Sequence, residues 1–179
     1  DNYDAILFIG NAETSNSSYS GTSVQISNNI DGLGAPVWSS SDCFGSAGRL
    51  RGMLSFPAME SIWKKYEDDS IAYGSVIHEI LHLWGGGNLL PRIETIDGNS
   101  GGGHWSISSA NGILGGFDLN TLSMVEHNVY RTNFFFGTGN AGLDRSLSAI
   151  ELYMMGVLPA NEVPNTTVFH GVSRINEDS

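Results

Sequence analysis

Short hydrophobic runs separated by polar segments mark the first third of the chain. The run Tyr3–Ile9 predicts a buried strand, and the alternation of apolar and polar residues in Val24–Ser27 predicts a second, shorter one. Further strands are predicted at Ala35–Ser39 and at Arg49–Phe56, where a proline follows the run. These patterns indicate a small sheet near the amino terminus.

Two helices are predicted to follow this sheet. In Pro57–Tyr66 apolar residues recur at helical spacing, and a proline suits the first turn of a helix. The next stretch, residues 70–87, carries apolar residues on more than one face, which is typical of a buried helix. Ser70 or Ser75 is a suitable cap for its start, and the glycine run 85–87 is a strong stop signal.

The second half of the chain is rich in glycine, so loops are expected to dominate residues 85–117. A helix is predicted at Leu119–Val129. A mostly buried helix or helix-turn is predicted at Ser146–Gly156, ahead of Pro159.

The chain is predicted to form one α+β domain over residues 1–179, because neither an internal repeat nor a linker divides it. Residues 1–69 are expected to supply the sheet and the first helix, and residues 70–87 the central helix. Residues 88–179 are expected to form a loop-rich lower part. A chain of 179 residues is long enough to bury a sizeable hydrophobic core.

The chain is acidic, with a net charge of −11 and a pI near 4.6. Such a charge argues against nucleic acid or an anionic membrane as a partner, and no apolar run approaches the ~20 residues of a membrane span. We expect a secreted or extracellular, monomeric domain that is the mature or excised part of its precursor. Because Cys43 is the single cysteine, no disulfide can form within these residues. Its side chain is expected to be buried as a small hydrophobic residue.

Candidate chemistry is concentrated in the central helix, where residues 78–82 match the pattern H-E-x-x-H. Residues four apart lie on the same face of a helix, so His78 and His82 can point at one metal ion. Glu79 can reach a metal-bound water without ligating the metal. The spacing therefore predicts a zinc site with Glu79 as general base. Two helical histidines without a metal are the simpler alternative.

A catalytic zinc ion takes three protein ligands and leaves one position for water. The extended pattern H-E-x-x-H-x-x-G-x-x-H places the third ligand at position 88, but Asn88 is a poor zinc ligand. His104 is favoured instead, because a glycine-rich loop lets it fold back over the site and Trp105 can fix its imidazole. The remaining candidates are His127 and His170, which are interpreted as surface histidines, and the carboxylates Glu94, Asp118 and Glu126.

The residues His78–His82 resemble the metal-binding motif of the zincin metallopeptidases, and the glycine at Gly85 is similar to that of the metzincins. Further along, Tyr153–Gly156 resembles the methionine turn of that clan, which lies beneath the metal. More loosely, residues 103–105 (Gly-His-Trp) and Glu151–Pro159 resemble a group of bacterial secreted zinc proteases. The resemblance implies a zincin-like fold, with a small mixed sheet, an active-site helix and the substrate in the cleft between them.

The expected function is that of a zinc-dependent endopeptidase acting on protein or peptide substrates. Glu79 takes a proton from water and returns it to the leaving amine, while zinc shares the charge that develops on the carbonyl oxygen. Tyr153 is a candidate second donor to that oxygen, and Tyr130 is an alternative. Asp97–Gly101 resembles part of a calcium loop, which makes Ca²⁺ a second candidate cation.

Two other functions are compatible with the sequence. One is a zinc protein without peptidase activity, either structural or acting on another amide or ester. The other is an acidic extracellular calcium-binding or recognition module in which the motif is accidental. The glutamate between the histidines argues against both, because a structural site has no use for an adjacent base.

Overall fold

The structure, a computed structural model, describes residues 2–11, 21–30, 36–58, 75–85, 103–132, 134–135 and 146–173. The fold of these residues is α+β, as predicted at this coarse level. No helix within them is long and apolar enough to cross a membrane. Several predicted features lie outside the described residues: the Pro57–Tyr66 helix beyond Ala58, both ends of the predicted 70–87 helix (residues 70–74 with the candidate cap Ser70, and residues 86–87), the ligand candidates Asn88 and Glu94, and the calcium candidate Asp97–Gly101.

The described ranges form nine short strands and two α-helices. The helices are α1 (Ser75–Gly85) and α2 (Ala149–Met154). In chain order the strands are β1 (Ala5–Ile9), β2 (Thr22–Gln25), β3 (Ser27–Asn28), β4 (Trp38–Ser39), β5 (Gly52–Phe56), β6 (Gly116–Phe117), β7 (Ser123–Glu126), β8 (Val129–Arg131) and β9 (Phe134–Phe135).

The largest sheet of the described part has the order β1-β5-β2. Strand β1 runs parallel to β5, and β2 runs antiparallel to it, so the sheet is mixed. Side chains along β5 alternate between buried and half-buried, which matches the alternation in its sequence. The remaining strands pair as β3–β4, β6–β9 and β7–β8.

Strand β1 forms at its predicted place, but its predicted burial is wrong. The side chains of residues 6–9 are between 39% and 54% exposed, although all four are large and apolar. Among the described elements, β1 lies at the edge of the sheet, and α1 packs over β5 and β2. Within β1, Ala5 packs against a hydrophobic cluster of Leu54, Phe56 and Leu83, which lies between the sheet and α1.

Helix α1 lies between two hydrophobic clusters, which fix its position and rotation. On one side Val76, Ile80 and Leu83 pack against side chains of β5. On the other side Leu81 is fully buried against residues of α2 and of the loop before β6. Full burial of a side chain such as Leu81 contributes about 1.5–3 kcal/mol, so tertiary packing, more than helix propensity, holds this helix. The second cluster consists of Leu81, Trp105, Ile113, Leu114, Ile150 and Met154.

The absence of a side chain at Gly52 makes room for the packing of α1 on β5. A Cβ atom there would lie 2.5 Å from Cδ2 of Leu83 and 2.9 Å from the carbonyl oxygen of Val24. We expect Gly52→Ala to lower the free energy of unfolding by about 1–3 kcal/mol, because helix and strand must move apart. Thermal denaturation followed by circular dichroism measures this loss. Val157→Ala is the control, since Val157 is 66% exposed; equal losses in both variants would contradict this account of the packing.

The predicted helix at Ser146–Gly156 is confirmed as α2. Its start is a capping box: the Ser148 hydroxyl accepts from the backbone N–H of Glu151, and the Glu151 carboxylate accepts from the backbone N–H of Ser148. Gly156 follows the helix with a φ of 78°, a left-handed conformation that favours glycine. Capping residues at both ends therefore define a helix of fewer than two turns.

The helix predicted at Leu119–Val129 is wrong. After a single 3₁₀ turn at Leu119–Thr121, the chain forms the β7–β8 hairpin. Asn128 has a φ of 59° in the turn of this hairpin, and asparagine tolerates that left-handed conformation better than most residues. The turn ends any helical run, and local turn chemistry prevails over the spacing of apolar residues.

Candidate metal centre

His78 and His82 lie one turn apart on α1, as their spacing predicts. Their Nε2 atoms are 3.3 Å apart, and the two rings meet edge to face. His78 is 5% exposed and His82 is 9% exposed. Since packing on both sides holds the helix, both imidazoles are presented on one face with little freedom to turn away.

The segment 103–115, which precedes β6, brings His104 to the same place. Its Nε2 atom lies 3.0 Å from Nε2 of His78, and the ligand atoms of all three histidines lie within 4.8 Å of one another. Two nitrogens bound to one tetrahedral zinc ion at about 2.0–2.1 Å are separated by about 3.3 Å, close to both Nε2 spacings. The three side chains could therefore hold one metal ion.

A contact of Nδ1 of His78 explains why Nε2 is the nitrogen that faces the other histidines. Nδ1 lies 3.4 Å from the carbonyl oxygen of Ile113, an acceptor to which it can only donate. With the proton on Nδ1, the lone pair of the neutral ring is on Nε2. Metal-binding histidines commonly donate their other nitrogen to a carbonyl or carboxylate in this way.

Burial, and secondarily the nearby His104, lower the pKa of His78 to about 4, while its hydrogen bond to Ile113 acts in the opposite direction. An imidazole must be neutral to ligate a metal. His78 is therefore in its ligating form at neutral pH.

Glu79 follows His78 on the helix and is also buried, at 7% exposed. Burial raises the pKa of its carboxyl group to about 7. Its side chain lies against Gly21 at the start of β2, where a Cβ atom would come within 2.9 Å of Cγ of Glu79. A carboxyl group in such an environment can accept and release a proton near neutral pH.

Tyr153 lies on α2, half-buried against the second hydrophobic cluster. Its neighbour Met154 is 4% exposed and belongs to that cluster, together with Leu81 of the histidine-bearing helix. Both residues thus lie on the element that packs against α1. The role of Tyr153 as a second donor stays a prediction.

The other ligand candidates in the described ranges lie elsewhere. Asp118 caps a 3₁₀ turn by accepting from the backbone N–H of Asn120 at 2.9 Å. Glu126 and His127 are exposed at the β7–β8 turn, and His170 is exposed near the end of the described chain. The interpretation of the two histidines as surface residues is confirmed.

The expectation that Cys43 is buried is wrong. The thiol is exposed, because the 3₁₀ turn Ser41–Phe44 buries Ser41 and turns the cysteine outward.

Sequence reasoning misses two residues that support the histidines: Ile113, whose carbonyl accepts from His78, and Glu151, which is fully buried. A backbone carbonyl leaves no signal in the sequence. The pair Ser148 and Glu151 does fit the S-x-x-E pattern of a capping box, which could have placed this glutamate at a helix start. That pattern would not have shown that its carboxylate also bonds a distant loop.

The chain matches no protein-family model, no curated protein and no solved structure.

Proposed function

We propose that the chain is the catalytic domain of a secreted zinc-dependent endopeptidase with a zincin-like fold. The observation that carries the proposal is the convergence of three imidazole nitrogens, two of them from the helix that also carries the buried Glu79. Among the described residues, three nitrogen ligands converge, which would leave the fourth tetrahedral position for water, as in catalytic zinc sites; structural sites use four protein ligands. Imidazole also suits zinc better than it suits magnesium or calcium, which prefer oxygen ligands.

Each residue of the site has a defined part in this proposal. His78, His82 and His104 would hold the ion through their Nε2 atoms. When bound, zinc supplies Lewis acidity, which activates a water molecule and polarises the substrate carbonyl. A carboxylate oxygen of Glu79 takes a proton from the attacking water and then delivers it to the nitrogen of the leaving amine.

Side chains fill the space between α1 and β5, so the substrate is proposed to lie at the histidine-bearing face of α1, beside the start of β2. Gly21 borders Glu79 just before β2, so this end of the strand lies next to the proposed base. Tyr153 is the proposed second donor to the developing oxyanion. A neutral donor there would share the negative charge with the metal.

Removal of the metal tests this function. We expect the purified chain to cleave casein, and a zinc chelator to lower the rate by more than about 10²-fold, because both the activated water and the carbonyl polarisation are lost. Added zinc should restore the rate. Cleavage that is insensitive to the chelator would contradict the mechanism. A zinc-loaded protein that cleaves neither casein nor unfolded peptides would instead favour a zinc protein of another kind.

A further inference from the structure

Glu151 lies in the first turn of α2, its side chain reaches the segment that carries His104, and it is 0% exposed. A buried carboxylate is costly unless hydrogen bonds replace its lost water, and a carboxylate offers about four acceptor sites. Four neutral N–H groups fill them: Oε1 accepts from Trp105 Nε1 and the Leu114 backbone, each at 2.8 Å, and Oε2 accepts from the backbones of Ile113 at 3.2 Å and Ser148 at 2.7 Å.

This arrangement exceeds what the start of α2 requires. The capping box uses the bond from Ser148, and capping carboxylates ordinarily lie at the surface. The other three bonds all reach across to the segment 105–114. Gly112 leaves the space that the carboxylate occupies, since a Cβ atom at that position would overlap it. The segment is therefore shaped around the carboxylate.

The same bonds connect Glu151 to two of the three histidines. Trp105 is adjacent to His104, and it is held twice: its indole donates to Glu151, and its backbone N–H donates to the carbonyl of Leu114 at 2.9 Å. On the other branch, Ile113 donates its N–H to Glu151 and accepts at its carbonyl from Nδ1 of His78.

We propose that Glu151 is a positioning residue for the metal centre, which orients His104 through Trp105 and His78 through Ile113. The inference rests on the proposed metal site and adds a determinant of metal affinity that touches neither metal nor substrate. Partners that orient metal ligands typically change affinity by about 10–100-fold when they are replaced.

Glu151→Gln is the direct test, because an amide of the same size has only one acceptor oxygen. Whichever way the amide turns, its NH₂ group faces two N–H donors, and two of the four bonds are lost. We expect the zinc affinity, measured by competition with a chelating dye well below the melting temperature, to fall by about 10–100-fold. The visible spectrum of the cobalt-substituted protein should change as well, because it reports ligand geometry around the ion. Glu162→Gln, an exposed glutamate in a nearby 3₁₀ turn, is the matched control and should leave both unchanged.

Trp105→Phe provides a second variant: it keeps an aromatic side chain, removes the indole donor to Glu151 and places a smaller ring in the same buried position. It should also weaken zinc binding, but by a smaller factor than Glu151→Gln, and it decides the question if Glu151→Gln does not fold.

Folded variants with wild-type zinc affinity and cobalt spectrum would overturn the inference, even if their melting temperatures fall. If the wild-type protein does not bind zinc, the metal centre itself is overturned. This outcome differs from the one in which the variants bind zinc as well as the wild type does. Because neither readout involves proteolysis, failure of the peptidase activity alone would leave the inference standing on the binding data.

Discussion

Replacement of Glu79 by glutamine is expected to abolish most of the peptidase activity while leaving the metal in place. The amide has nearly the same size as the carboxylate, so it fits the buried position beside Gly21. It cannot take a proton from water at neutral pH, and loss of a general base typically costs about 10²–10⁴-fold in rate. We expect kcat for casein-derived peptides to fall by that factor, with one zinc ion still bound per chain.

The comparison that makes this result specific is Glu126→Gln, which removes an exposed carboxylate from the β7–β8 hairpin. That variant should keep wild-type kcat and zinc content. A Glu79→Gln protein that cleaves at the wild-type rate would remove Glu79 from the mechanism. Loss of zinc together with activity would mean that this glutamate serves the metal site and not the proton transfer.

The second large effect is expected for His104→Ala. The substitution removes one of the three converging nitrogens, so the loss of zinc affinity should exceed the roughly 100-fold seen when only an orienting partner is changed. Cleavage of casein should fall with zinc content. The fold should persist, because Trp105 and Leu114 keep their bonds to Glu151 and the second hydrophobic cluster is unaffected. Equilibrium dialysis with zinc, followed by elemental analysis, measures the affinity.

Two control substitutions separate a ligand from a general histidine effect. His127 and His170 are both exposed and lie outside the group of three. Their replacement by alanine is expected to leave zinc affinity and cleavage unchanged. Wild-type affinity in His104→Ala would remove His104 from the ligand set and direct the search to residues outside the described ranges, such as Asn88 or Glu94.

Much of the candidate site could be predicted because its chemistry depends on short-range geometry. The spacing of His78 and His82 on a helix follows from the helical repeat, and the glutamate between them follows with it. The prediction that His104 joins them rests on ligand chemistry and on a loop able to fold back. The structure brings these three residues together, with Nε2 spacings of 3.0 and 3.3 Å from His78.

The features that could not be predicted depend on contacts between distant segments. The exposure of residues 6–9 in β1 depends on which elements pack against the sheet, and the apolar run does not encode this by itself. The β7–β8 hairpin forms where apolar spacing favours a helix, because Asn128 takes a left-handed conformation in its turn. The buried position of Glu151 depends on donors 37 to 46 residues away along the chain.

The most direct test of the proposed metal centre is zinc stoichiometry combined with the ligand environment of the bound ion. Elemental analysis of the wild-type protein, prepared with zinc and dialysed, should give about one zinc per chain. X-ray absorption at the zinc edge should show three imidazole nitrogens at about 2.0–2.1 Å and one further light atom. A protein that retains no zinc, or a zinc ion bound by fewer than three imidazoles, would contradict a catalytic centre built from His78, His82 and His104.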